Sequence, residues 1–318
     1  MQAVVFEQPG NPLDVLSVRE VARPAPGPGQ VLLRVAARPI QPADFLFIGG
    51  RYRISPGSPQ VAGLEGLGTV VACGPDTSGF EAGERVAFRS PGTWADFAVA
   101  TVSRIYRVPA SIPDPVACQF ALNPLTAWGL LAECDLPPGA RILLTAGRSQ
   151  VAGLLARLAL QRGHDVSLLV RDRAGFAVLD ARTLQPAGRQ PSVAAALGSS
   201  RFHAILDAVG GSATVDLIEA LEARGRLVSY GILDDGEVTL KTSQVLFRNM
   251  IWQGFGIDAW LDHASSAQLE HAQRELWNLL DAAPELLPVS GRFSLARVDE
   301  AIRMVEAGAQ RGKVLLLG

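Results

Sequence analysis

Ile142-Leu-Leu-Thr-Ala-Gly147 is an apolar run that ends in a glycine-bearing loop, and together with the next two dozen residues it decides the fold. Val151, Leu154, Leu155, Leu158 and Ala159 recur at i, i+3, i+4, i+7 and i+8, the spacing of a helix with one apolar face. Asp165-Val-Ser-Leu-Leu-Val170 then reads as a second buried strand. Strand, tight loop, helix and strand make half of a dinucleotide-binding unit.

The second strand runs into Arg171-Asp172-Arg173. In such a unit this strand end meets the adenosine ribose. A carboxylate there suits the free 2′-hydroxyl of NAD, and arginines suit the 2′-phosphate of NADP. Two arginines flanking one position predict NADP(H). The plainer alternative is a solvated basic loop.

On the N-terminal side, residues 1 to about 115 hold short strand-like runs punctuated by proline and glycine, as in Pro24-Ala-Pro-Gly-Pro-Gly29. That pattern suggests a compact, barrel-like β domain. From about residue 116, strands at Arg141–Thr145, Asp165–Val170, Ala204–Ala208, Arg226–Tyr230 and Met250–Phe255 alternate with helices at Val151–Arg162, Ala213–Ala223 and Lys241–Phe247. This is the rhythm of a parallel sheet covered on both faces. A tail with helices at Ser265–Leu280 and Val298–Glu306 and a last strand at Lys313–Leu317 is expected to return to the β domain. The division reads as 1–115 with 258–318, and 116–257.

Composition excludes several classes. The 318 residues carry a net charge of −2 and are 48% hydrophobic. That is no basic field for nucleic acid, and no apolar run reaches the ~18 residues of a membrane span. Cys73, Cys118 and Cys134 are scattered, and the four histidines lack ligand spacing. No metal site is expected. With no signal or transit pattern before Gln2–Phe6, a reduced, cytoplasmic setting is the expectation.

Further elements complete a pattern: Pro39-Ile-Gln-Pro-Ala-Asp-Phe45, Gly49-Gly-Arg-Tyr-Arg53, Gly63-Leu-Glu-Gly-Leu-Gly68, Gly92-Thr-Trp94, Leu122-Asn-Pro-Leu-Thr-Ala-Trp128, Val170-Arg-Asp-Arg173, Val228-Ser-Tyr-Gly231, Gln253-Gly-Phe255 and Gly312-Lys-Val314. With these the chain resembles the zinc-free medium-chain dehydrogenase/reductase superfamily over nearly its whole length. Within it, the chain is most similar to trans-2-enoyl thioester reductases, with quinone oxidoreductases next. The resemblance implies an α/β protein: a GroES-like β-barrel domain plus a Rossmann doubly wound parallel sheet, assembled as a homodimer. It implies NADPH-dependent reduction of an enoyl thioester, or of a quinone, without zinc. Where zinc-dependent relatives place ligands, this chain has Ala43 or Asp44, Leu64 and the neighbourhood of Asn123.

The same resemblance implies site residues. Tyr52 takes the place of the tyrosine that donates a proton or polarises the substrate carbonyl, and a neutral phenol is suited to that task. Arg51 and Arg53 beside it could steady the developing charge. Asn123 falls near the nicotinamide. Arg148, Ser149, Gln150 and Val151 fall on the pyrophosphate loop, and Arg171, Asp172 and Arg173 at the 2′-phosphate. Tyr230, Gly231, Ile232 and Leu233 come after one strand end, and Phe255, Gly256 and Ile257 after another. Lys313 falls near the cofactor.

The chain departs from the family where Ser149-Gln150-Val151-Ala152 replaces Ser-Gly-Val-Gly. Two side chains stand where glycines would let backbone approach phosphate. The stretch from Arg173 to Pro191 is also short for a crossover helix. A non-catalytic binding protein on a dehydrogenase scaffold is therefore a third reading.

Overall fold

The computed structural model describes residues 1–186, 188–308 and 311–318. It forms two compact units, Met1–Asn123 with Gln273–Gly318, and Pro124–Ala272.

The first unit is built on strands β1 (Gln2–Phe6), β2 (Ser17–Glu20), β3 (Gln30–Pro39), β4 (Gln60–Val61), β5 (Glu65–Cys73), β6 (Arg85–Arg89), β7 (Phe97–Thr101) and β8 (Ile105–Arg107). β3 is its spine. It pairs antiparallel with β5 from Val31↔Cys73 to Ala37↔Leu67, and with β7 from Gln30↔Thr101 to Arg34↔Phe97. β1 lies between β2 and β4 in a small separate sheet.

The second unit holds β9 (Arg141–Leu144), β10 (Asp165–Asp172), β11 (Gly175–Asp180), β12 (Phe202–Asp207), β13 (Leu221–Ser229) and β14 (Ile251–Gly254), in the order β11-β10-β9-β12-β13-β14. The helix expected over 151–162 spans Gln150–Gln161 and buries Leu154, Leu155 and Leu158. The sheet is parallel except at one edge, where β11 runs antiparallel to β10. Only Arg173 and Ala174 separate those two strands, whereas a parallel crossover needs roughly a dozen residues. The Asp172 carboxylate accepts from the Ala174 N–H at 2.9 Å and closes the turn. Gly175 comes next at φ +116°, where a Cβ would stand 2.3 Å from the Gln190 carbonyl oxygen. A hairpin therefore follows β10 directly, and the short helix Val193–Leu197 comes before β12. The helix expected over 213–223 ends at Glu219, because Leu221 already pairs with Phe202 in the sheet.

The chain then returns to the first unit. β15 (Val289–Ser294) and β16 (Lys313–Leu317) complete the order β15-β16-β3-β5-β6-β8, with Leu315 opposite Pro39. The tail helix Val298–Glu306 puts Val298, Ala301 and Ile302 into one core with Phe6, Ile40, Phe47, Leu64 and Trp94. Burying each large apolar side chain there contributes about 1.5–3 kcal/mol. The boundaries at 123/124 and 272/273 lie beyond the 115 and 257 read from sequence. Helix Ile257–His263 stays with the second unit, its Trp260 ring 5.6 Å from that of Trp128. No helix among the described residues is long and apolar enough to cross a membrane.

Candidate cofactor cavity and active-site cluster

In the second unit a cavity of about 430 Å³ lies beyond the carboxyl ends of β9, β10 and β12. The strand order turns between β9 and β12, the place where open α/β sheets receive their ligands. Its walls include Thr145–Ser149, Leu169–Arg171, Phe176, Asp207, Val209 and Gly210.

Gly147, absent from the sequence-based site, sets the floor. A Cβ on it would lie 2.7 Å from Leu168 Cβ and 3.0 Å from the Leu169 carbonyl oxygen, and its N–H donates to that carbonyl at 2.9 Å. Asp207, also unforeseen, organises the loop. Its fully buried carboxylate accepts from the Thr145 hydroxyl at 2.7 Å and from the N–H groups of Val209 and Gly210 at 3.0 and 3.1 Å. Ser149 caps the Gln150–Gln161 helix, its hydroxyl accepting from the Ala152 N–H at 3.2 Å. Ala152 is fully buried, so its methyl is core packing rather than an obstacle in the cavity. Gln150 and Val151 stand outside the lining, whereas Arg148 and Ser149 belong to it.

Arginines gather at the tip of β10. Arg171 lines the cavity with its guanidinium 5.5 Å from the Phe176 ring centre. Asp172 Oδ2 lies 2.6 Å from Arg189 Nη2 and 3.5 Å from Arg148 Nη2. Arg189 was not foreseen: its neighbour Gln190 pairs with Phe176 at the start of β11, which sets Arg189 beside Asp172. Arg173 points to solvent. Three guanidiniums against one carboxylate leave an excess of two positive charges, which matches a phosphate dianion.

Of the remaining predicted contacts, Leu233 lines the cavity and Ile232 is half exposed. Gly231 packs against Ala208, whose carbonyl oxygen would meet an added Cβ at 2.6 Å. The Tyr230 hydroxyl is enclosed; burial and the Asp207 charge hold its ionisation well above the usual phenol range. Phe255 packs on Gly129, and Ile257 is buried at the start of its helix.

The first unit carries a second polar cluster. Gln41 caps helix Pro42–Ile48, and its N–H donates to Asp44 Oδ2 at 2.7 Å. Its side-chain amide donates to Glu65 Oε1 and accepts from Asn123 Nδ2, the latter at 3.3 Å. Asp44 and Glu65 are each 1% exposed. Lost solvation pushes both carboxyls up to about 7, against the pull of Gln41, Arg89 and Lys313. Burial brings Lys313 down to about 8, with Glu65 and Asp44 opposing. Arg89, at the end of β6 opposite Glu65, donates through Nη2 to the Tyr52 oxygen at 2.8 Å. Tyr52 is half-buried against the core that contains Phe47 and Ile48, while Arg51 and Arg53 are exposed. Thus Tyr52, Asn123 and Lys313 meet one network. Gln41, Asp44, Glu65 and Arg89 complete it, three of them within the quoted motifs but not foreseen as site residues.

Comparison with known proteins agrees with this architecture. Residues 27–110 match the alcohol dehydrogenase GroES-like domain, and residues 178–316 match a family described as zinc-binding dehydrogenase. The mitochondrial enoyl-acyl-carrier-protein reductase of Xenopus tropicalis is 30% identical over 294 residues, covering 88% of this chain and 84% of that protein. This chain belongs to the medium-chain dehydrogenase/reductase superfamily. A Bacillus thuringiensis protein assigned as an NADPH:quinone reductase is 26% identical, with a TM-score of 0.85 over 100% of this chain and 98% of that one. A mycobacterial structure complexed with NADPH shares the fold at 24% identity and a TM-score of 0.84, each chain covered over 100%. As a member of this superfamily the chain is an oxidoreductase that works with a nicotinamide cofactor.

The matched family's name carries zinc, but the donor set here does not fit it. Leu64 is buried core, and among the described residues no three His, Cys, Asp or Glu side chains group closely enough to hold a metal ion.

Proposed function

We propose that this oxidoreductase uses NADPH to reduce the C=C bond of a 2-enoyl thioester, without zinc. The observation that carries the proposal is Tyr52. This half-buried phenol is hydrogen-bonded through its oxygen within a buried polar network, in a chain whose curated relatives are named enoyl reductases.

The cavity residues fit the cofactor. The backbone at Gly147 and the start of the Gln150–Gln161 helix would receive the pyrophosphate. Arg171, Arg148 and Arg189, with Asp172 between the last two, would receive the 2′-phosphate. Asn123, Tyr230 and Lys313 are proposed as the remaining contacts. Bound there, NADPH supplies a hydride.

The protein's own part is polarisation and the proton. Adding hydride to the β-carbon of an enoyl thioester moves negative charge onto the thioester oxygen, and the α-carbon then takes a proton. The Tyr52 hydroxyl donates toward that oxygen or supplies the proton, and such a donor contributes on the order of a hundredfold in rate. The likeness to proteins assigned as NADPH:quinone reductases supports a second reading, hydride delivery to a quinone. NADPH loss at 340 nm with trans-2-hexenoyl-coenzyme A and with 1,4-benzoquinone separates them. Turnover of the thioester with formation of the saturated product supports the first; turnover of the quinone alone sinks it.

A homodimer is proposed as well. β14 is an edge strand, and Ile251 and Trp252 on it, with Leu246 and Phe247 on the helix before it, are exposed at 43, 41, 62 and 78%. Such an edge flanked by apolar side chains invites pairing with a second copy.

A further inference from the structure

We propose that Arg89 is the positioning residue that makes Tyr52 a donor, an inference that rests on the donor role of Tyr52 proposed above. A phenol has one O–H and can accept at its oxygen, whereas a guanidinium has only donors. With Arg89 Nη2 donating to the Tyr52 oxygen at 2.8 Å, the phenol cannot spend its proton on this neighbour. The O–H is left for a third group.

Placement reinforces this. Tyr52 sits in a loop between helix Pro42–Ile48 and β4, where nothing regular in the backbone fixes its side chain. Arg89 is 5% exposed at the end of β6 and pairs in register with Glu65. Asp44 and Lys313 also face this neighbourhood: Glu65 feels Arg89, Asp44 and Lys313 together. Glu65 is itself held by Gln41, and Gln41 by Asn123. Hydrogen bonds thus link Asn123, Gln41 and Glu65, and Arg89, paired in register with Glu65, reaches one loop-borne oxygen. The neighbours flanking Tyr52 in sequence, Arg51 and Arg53, are exposed, and the guanidinium that reaches its oxygen comes from 37 residues away.

The bond also changes during the reaction. While Tyr52 is neutral, Arg89 makes a modest hydrogen bond. As the phenol gives up its proton, the same bond joins a guanidinium to an oxygen gaining negative charge, and it strengthens. An interaction stronger in the transition state than in the ground state acts on kcat and leaves KM nearly alone.

The test is a double-mutant cycle on the full chain with NADPH and trans-2-hexenoyl-coenzyme A. Arg89→Met should lower kcat about 10- to 100-fold, with KM and the NADPH Kd changed less than about threefold. Arg89→Lys should recover part of the loss. Combined with Tyr52→Phe, Arg89→Met should cost less than about threefold more, because the oxygen it serves has gone. If the Met variant does not fold, Arg89→Lys carries the same comparison: about tenfold in the wild type and almost nothing beside Tyr52→Phe. Two results overturn the proposal: Arg89 variants with wild-type kcat, or a double mutant slowed by the product of the single losses. A Tyr52→Phe enzyme with wild-type kcat would instead remove the donor role on which the inference rests.

Discussion

Arg171→Ala tests the assignment of the cofactor's adenosine end. Its guanidinium lines the cavity, and its neighbours Arg148, Arg189 and Asp172 carry a net charge of +1, so the variant loses half of the +2 offered to a 2′-phosphate. A hydrogen bond between charged groups is worth about 1.5–3 kcal/mol. This site is open: Arg171 is exposed and Arg148 is 59% exposed, so solvent screening selects the lower end. A loss of about 1.5 kcal/mol is roughly tenfold in Kd. Energy transfer from tryptophan to bound NADPH gives both constants by titration. The NADPH Kd should rise about tenfold while the NADH Kd stays within about twofold. The wild-type preference for NADPH should itself shrink as salt is raised, because exposed charges are screened within ~8–10 Å. Equal wild-type affinity for the two cofactors, or equal weakening of both in the variant, would refute the assignment.

Gly147→Ala should lower Tm by several degrees and weaken NADPH. The added methyl meets Leu168 and backbone at 2.7 and 3.0 Å, and overpacking of this kind costs about 1–3 kcal/mol; an unchanged melt and Kd would count against the close approach. The Glu65 carboxyl, raised to about 7 by burial, binds a proton more tightly folded than unfolded. Its contribution to stability is therefore present in full below about pH 4.5 and is lost as pH rises to about 7, at up to about 1.4 kcal/mol per pH unit. Glu65→Gln should flatten that fall in a series of melts from pH 4.5 to 7, leaving the part due to Asp44; superimposable profiles would show that Glu65 does not titrate there. Phe247→Asp should yield monomers in light scattering, and a wild type already monomeric at micromolar concentration would remove the proposed edge-strand dimer.

The alternation of strands and helices was legible because its signal is local: the apolar face of 150–161 and the runs at β9, β10, β12 and β13 each carry their own periodicity. The hairpin at β11 was not. Its cause is a two-residue gap, an aspartate-capped turn and a glycine pressed on Gln190, and no periodicity announces such a feature. Arg189 was hidden as well, because its partner Asp172 becomes a neighbour only when Gln190 pairs with Phe176. Ala152 looked like damage to a phosphate loop because glycine spacing alone does not say which face of the helix is buried. Around Tyr52 the motif was visible but the network was not. Arg89 reaches it through its side chain from the end of β6, 37 residues along the chain, and the carboxyls of Asp44 and Glu65 gain their unusual affinity for protons from burial, which composition does not reveal.

The proposed function stands or falls with Tyr52 serving the reduction of an enoyl thioester. Single-turnover oxidation of NADPH at 340 nm, wild type against Tyr52→Phe, with trans-2-hexenoyl-coenzyme A and mass analysis of the product, measures that directly. The wild type should yield the saturated thioester, and Tyr52→Phe a rate constant on the order of a hundredfold lower with an unchanged NADPH Kd. A wild type that leaves the C=C bond intact, or a Phe variant as fast as the wild type, would contradict it.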